Sequence, residues 1–265
     1  MSSTATFNYT NQLMNDLWND IAPGYYNFGR ISPDADTDKI PDLKQANEDM
    51  ADWIVAKLGI NKDSVILDLA CGKGMYTVRI AQLTGCRFIA VDINEPYIEN
   101  ECKKWAKEHG VVDQCDFRVG SMTDLPDEIR SMKYTHVLCL GAMFYVHEHI
   151  DKFLENVYSC CDKNTKVFIW DFVRHVPWSD LVDFNKHFKL AFPIHTKDDI
   201  LEKFKSAQLE LTDCEDVSPY IVPGYVVIER ECRKRDPDLK ILTYPNIGNA
   251  LKAGTVSYLT YCLKA

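Results

Sequence analysis

The chain has 265 residues, 46% hydrophobic and 26% charged, with a formal net charge of −9. That length suffices to bury a full core as one α/β domain, and the composition is that of a folded protein rather than a low-complexity one. The acidic balance and the lack of a basic stripe argue against a nucleic-acid partner, because phosphate binding needs cations that displace counterions. No apolar run reaches the length of a membrane span, and Met1 to Asn11 is polar without a signal-peptide core, so the chain reads as cytoplasmic.

In chain order, residues 11–21 form an amphipathic helix with Leu13, Met14, Leu17, Trp18 and Ile21 on one face. A turn at Pro23-Gly24 leads to Tyr25-Tyr26, and a Pro/Asp-rich stretch runs to Pro41. A second helix covers 42–58. The run Val65-Ile66-Leu67-Asp68-Leu69 reads as a strand, Ala70-Cys71-Gly72-Lys73-Gly74 as a tight turn, and 75–83 as a helix. The next strand, 86–91, closes on Asp92. Further strands fall at 116–119, 135–140 and 166–170, with helices at 96–109 and 149–160 between them. Strands alternating with helices imply a parallel sheet covered on both faces. An aromatic-rich excursion then occupies 172–194, followed by a helix at 197–207 and a last strand at 256–263. The basic patch from Arg230 to Arg235 is interrupted by Glu231 and reads as a solvated helix face.

Strand, glycine turn, helix, strand and terminal acid make up half of a nucleotide-binding unit, which places a ligand at the carboxyl edge of the sheet. A dinucleotide is disfavoured. Its pyrophosphate needs a third glycine, where this chain has Thr77, and Asp68 would repel phosphate and attract a cation.

The D-x-A-C-G-x-G run resembles motif I of the class I S-adenosylmethionine (SAM) methyltransferases, more specifically the sarcosine/dimethylglycine, polyketide and isoprenoid-type enzymes on small molecules. The resemblance implies a doubly wound, Rossmann-like α/β fold with a seven-stranded, mostly parallel sheet, the last strand antiparallel beside the sixth. It implies one domain over 1–265: an N-terminal helical lid (1–43), a cofactor core (44–171), a substrate-cap insertion after the fifth strand (172–195) and the rest of the core (196–265). It also implies SAM as cofactor, held by Asp68, Ala70, Cys71, Gly72 and Gly74, by Asp92 and Ile93 after the second strand, by Gly120, Ser121 and Met122, and by Leu140 and Gly141. Asp92 would take the two ribose hydroxyls. Many relatives carry an acid directly after the glycine at position 120; here Thr123 or Asp124 would serve the adenine amino group.

The family's Phe-Leu-His triplet after the fourth strand corresponds to Phe144-Tyr145-Val146, with the histidine displaced to His147; one residue rotates a helical side chain by about 100°. Catalytic candidates are His147, Asp171 and Tyr26, with His175 as a further base. Tyr25, Tyr26, Tyr145 and Trp178 are candidates for substrate contact, and the tyrosines could form a cation–π wall. His149 and the individual phenylalanines of the excursion also have structural readings, as a surface histidine and as core cover.

The ten cysteines are scattered, with Cys160-Cys161 adjacent and no C-x-x-C pair, so reduced thiols and no metal site are expected. Arsenic methyltransferases also use scattered cysteines. The expected activity is methyl transfer to the N or O nucleophile of a small molecule by a monomer or homodimer. Alternatives are a C-methyltransferase on a quinone-like or isoprenoid substrate and a non-catalytic SAM-binding protein.

Overall fold

A computed structural model describes residues 12–40 and 42–265; the polar stretch 1–11, which includes the first residue of the expected N-terminal helix, and Pro41 lie outside them. Helix α1 (Gln12–Ile21) buries Met14, Leu17, Trp18 and Ile21, the face its periodicity predicts. After α2 (Lys44–Leu58) come β1 (Val65–Leu69), α3 (Met75–Thr84) and β2 (Arg87–Asp92). The Asn94 side chain caps the start of α4 (Glu95–Tyr97), which continues through a wide turn at Ile98–Cys102 into α5 (Lys103–Glu108). Next are β3 (Cys115–Val119), α6 (Asp127–Arg130) and β4 (His136–Leu140). A 3₁₀ segment, Met143–His149, links β4 to α7 (Ile150–Ser159), and β5 (Lys166–Arg174) follows.

Seven strands form one sheet in the order β3-β2-β1-β4-β5-β7-β6, where β6 is Glu210–Asp216 and β7 is Val256–Lys264. β7 lies antiparallel between β5 and β6. The expected α/β, mostly parallel architecture is therefore present. The strand order reverses between β1 and β4, and such a switch opens a crevice at the carboxyl ends of the strands. α7 covers one face with α9 (Lys197–Ser206), through Phe153, Leu154, Ile200 and Phe204; α1, α2 and α3 cover the other.

The expected excursion begins later than 172, because Phe172 to Arg174 continue β5 against β7. Its remainder folds into a 3₁₀ turn at Trp178–Leu181 and a short helix α8 (Val182–Phe188). Of two further helices, α10 (Ser218–Arg235) contains the helix face expected at 230–235 but begins twelve residues earlier, and α11 (Tyr244–Lys252) has no counterpart in the sequence expectations. Pro223 and Gly224 inside α10 read as breakers, yet Gly224 serves a close approach: a Cβ there would sit 2.6 Å from the Phe28 carbonyl oxygen. The Phe28 ring stacks on Tyr225 with centroids 3.8 Å apart, so the N-terminal segment is docked on α10. The basic end of α10 is less solvated than expected. Glu231 is buried there and pairs with Arg230, Lys234 and Arg235, and Arg235 reaches Asp20 at 2.6 Å.

Candidate functional site

A cavity of 560 Å³ opens at the switch point, walled by the loops after β1, β2, β3 and β4, by the segment 24–28 and by residues 187–192. Its two ends differ in chemistry.

The end over β1 and β2 is charged. Asp68 is 2% exposed and its Oδ2 accepts from the Thr77 hydroxyl at 2.6 Å. Thr77, which stands where a pyrophosphate turn would have its third glycine, is thus the partner of this acid. Burial, with the charge of Asp92 adding to it, pushes the Asp68 carboxyl up to about 6. The carboxylate of Asp92 accepts from the Gly72 and Asn94 amides, both at 2.8 Å, and burial raises its pKa too. Neither acid has a lysine or arginine partner among the described residues. Two desolvated carboxylates with no cation favour a ligand that brings positive charge and hydroxyl donors. A Cβ at Gly72 would meet nothing within 4 Å, so bare backbone faces open space at this point. Ala70, Cys71, Gly72 and Ile93 line the cavity, whereas Gly74 does not; a Cβ at Gly74 would fall 2.7 Å from Cys102 Sγ, so Gly74 lets the loop pack on the wide turn.

Lys73, within the same turn, is 3% exposed and lines the cavity. Its ammonium donates to Asn19 Oδ1 at 2.8 Å and lies 5.4 Å from the centre of the Tyr26 ring and 5.8 Å from that of Tyr97. Burial lowers its pKa. Gly120, Ser121, Met122, Thr123 and Asp124 form the wall after β3, with Ser121 Oγ 2.9 Å from Thr123 Oγ1. Leu140 and Gly141 floor the cavity after β4; Gly141 has φ 72°, and a Cβ there would lie 2.3 Å from the Tyr258 hydroxyl.

The opposite end is aromatic. Phe144 meets Phe188 and Phe172 at centroid distances of 4.7 and 5.4 Å, and Phe172 meets Tyr258 at 4.2 Å. Tyr145, Phe192, His187 and Tyr244 complete the wall, and the Tyr244 hydroxyl accepts from Trp18 Nε1 at 2.5 Å. Burial pushes His187 down to about 3.

Among the catalytic candidates, Tyr26 lines the cavity and stacks on Trp18 at 5.0 Å. His147 also lines it, but burial pushes its pKa down to about 4. Its Nδ1 lies 3.0 Å from the Pro193 carbonyl and 3.2 Å from the His195 amide; one tautomer satisfies only one of these. The shorter contact makes Nδ1 the donor and leaves Nε2 as a buried lone pair without a partner among the described residues. Asp171 is buried beneath the wall rather than on it. Its oxygens accept from the Phe144 and Phe172 amides at 2.8 and 2.6 Å, which pins the 3₁₀ segment to β5, and burial raises its pKa to about 8. His175 is likewise away from the cavity, 2.9 Å from Ser257 Oγ.

Tyr25, Tyr26 and Tyr145 are brought together on the cavity, while Trp178 is not among its walls. His149 is exposed beside Glu148. Of the excursion's aromatics, Phe184 is core and 1% exposed, and His187, Phe188 and Phe192 face the cavity. Sequence reasoning passed over Lys73, although it stands inside the quoted motif. For Tyr244 and Tyr258 no sequence signal was available, since both come from C-terminal elements whose position over the cleft depends on the fold. Among the described residues, no group of His, Cys, Asp and Glu is arranged to hold a metal, and all ten cysteines are free thiols.

Residues 66–164 match the family model described as a methyltransferase domain. A sterol 24-C-methyltransferase of Saccharomyces cerevisiae is 29% identical over 154 residues, 57% of this chain but 38% of the yeast protein. The chain thus spans well under half the length of that relative. Among solved structures, geranyl diphosphate C-methyltransferase from Streptomyces coelicolor A3(2), in complex with Mg²⁺, geranyl diphosphate and S-adenosyl-L-homocysteine, superposes with a TM-score of 0.76 at 16% identity, covering 96% of this chain and 98% of that one. A putative sarcosine dimethylglycine methyltransferase from Galdieria sulphuraria gives a TM-score of 0.79 at 14% identity, covering 96% of this chain and 97% of its own.

Proposed function

We propose that the chain is a class I, S-adenosylmethionine-dependent methyltransferase that transfers a methyl group from SAM to a small, largely apolar acceptor bound at the aromatic end of the cavity. When bound, SAM supplies a methyl group on a positively charged sulfur. Asp68 and Asp92 are suited to the donor's ammonium and ribose hydroxyls, and the open face of Gly72 leaves room for its methionine arm. The segment around Tyr25 and Tyr26 acts as the lid, and residues 187–192 as the acceptor cap.

The observation that carries this reading is the polarity of the cavity: at one end buried acids with no lysine or arginine partner among the described residues, at the other π faces. Moving a methyl group from a sulfonium to a neutral nucleophile carries positive charge from donor to acceptor. Aromatic faces stabilise a desolvated cation by up to about 2 kcal/mol, and holding the partners in line supplies about 7–11 kcal/mol. A hydroxyl acceptor would need a positioned base. His147, with its pKa near 4, is a weak one, and Asp171 lies off the cavity. Nitrogen is therefore favoured over oxygen. Carbon is the second reading, supported by the apolar acceptor walls, since an attacked alkene also leaves a cation. Labelled SAM incubated with panels of tertiary amines, phenols and isoprenoid alkenes tests this. Methylation confined to phenols would overturn it, and SAM binding without transfer to any class would favour a non-catalytic binder.

A further inference from the structure

The acids explain how the donor's positive groups are met, but SAM also carries one anionic group, its α-carboxylate. We propose that Lys73 is the binding residue for that carboxylate and so sets the requirement for an intact amino-acid end on the donor. This rests on the SAM reading. Lys73 lines the cavity on the glycine turn beside Gly72, the turn residue whose backbone is open to ligand. Its Nζ is buried, and its hydrogen-bond partner is the neutral amide of Asn19 at 2.8 Å. No carboxylate among the described residues lies within ion-pair distance; Glu101 acts on it only through space.

A desolvated ammonium held by one amide and two ring faces has donor capacity left and a cost of burial that an anion would offset. The alternative role is structural, since the same contacts tie α1 and Tyr26 to the turn. That role would be indifferent to whether the donor has a carboxylate.

Decarboxylated SAM separates the two, because it keeps the sulfonium, the amine and the nucleoside and lacks only the carboxylate. Calorimetric titration of the wild-type protein with SAM and with decarboxylated SAM is expected to give a preference of about 10- to 100-fold for SAM, the worth of a hydrogen-bonded charge pair. Lys73→Gln should collapse this ratio towards unity by weakening SAM alone. Asn19→Ala, which removes the α1 contact and keeps the ammonium, should preserve it. Equal affinities in the wild-type protein, or equal losses for both donors in Lys73→Gln, would overturn the assignment; if that variant fails to fold, Lys73→Met, which keeps the length of the stem, must lose the preference for SAM, and its retention there would also overturn it. Binding of neither compound would instead overturn the SAM reading.

Discussion

Replacing Asp68 with Asn should stabilise the ligand-free protein while crippling donor binding, a combination that separates a functional acid from a structural one. The carboxyl is raised from 3.8 to about 6 by burial, so at neutral pH folding carries an ionised group into an environment that disfavours it. A rise of two units corresponds to about 3 kcal/mol. A folded pKa above the unfolded one means that the native state takes up the proton more readily, so this group's contribution to stability grows as pH falls from about 6 towards 4. An asparagine fills the same space, and its carbonyl can still accept from Thr77. Its new NH₂ group has no acceptor among the described residues, which costs about 1–3 kcal/mol, so a net gain of up to about 2 kcal/mol is expected. At about 2–4 °C per kcal/mol for a chain of this size, the melting point of the ligand-free variant should rise by up to several degrees. SAM affinity should fall about 10- to 100-fold, the loss of a charge-assisted contact. Differential scanning fluorimetry with and without SAM, together with calorimetric titration, measures both. A variant that melts lower than wild type and binds SAM unchanged would refute the account of this acid.

The remaining expectations concern the neighbouring walls. Asp92→Ala removes the acceptor for the Gly72 and Asn94 amides and for the ribose hydroxyls, so donor binding should weaken at least about 100-fold with the fold retained by circular dichroism; wild-type affinity would count against the site. Gly141→Ala puts a Cβ where φ is 72° and 2.3 Å from the Tyr258 hydroxyl, costing about 1–2 kcal/mol for the backbone alone. Adding Tyr258→Phe should recover part of that loss in urea melts, and strict additivity of the two changes would contradict the clash. His147 is lowered from 6.5 to about 4, so its neutral form stabilises the fold above pH 6.5 and that contribution is lost as pH falls towards 4. His147→Gln should flatten the loss of stability between pH 7.5 and pH 5, and an unchanged slope would show the imidazole to be solvated.

The parallel core was legible because apolar strands alternate with glycine-stopped helices and because Asp68 and Asp92 stand at strand ends. In the C-terminal third the helix at 197–207 and the strand at 256–263 were legible and correspond to α9 and β7, but β6, α11 and most of α10 were not. β6 reads Glu-Leu-Thr-Asp-Cys-Glu-Asp, an edge strand with mostly exposed side chains and no apolar alternation to betray it. In α10, Pro223 and Gly224 mimic a break, and only the approach of Phe28, nearly two hundred positions earlier, gives the glycine its reason. The site follows the same division. Its charged walls come from local motifs, whereas the aromatic wall is assembled from Phe144, Phe172, Phe188 and Tyr258, whose meeting depends on where β7 inserts. Asp171 and Trp178 sit where a strand-end reading places function, but the burial of one and the packing of the other against the core, off the cavity, were invisible in one dimension.

The insertion of β7 between β5 and β6 also bears on how the protein is made. The segment 65–174 holds five strands in register with one another and can assemble as the ribosome extrudes it. β5 then presents a long apolar edge, and β6, whose only strand neighbour among the described residues is β7, has no partner when it emerges. Until Val256–Lys264 is synthesised, that edge is open to pairing with other chains, so the nascent protein passes through an interval in which chaperone protection matters most. The same strand delivers Tyr258 to the cavity, so the aromatic wall is completed in the same step that seals the sheet.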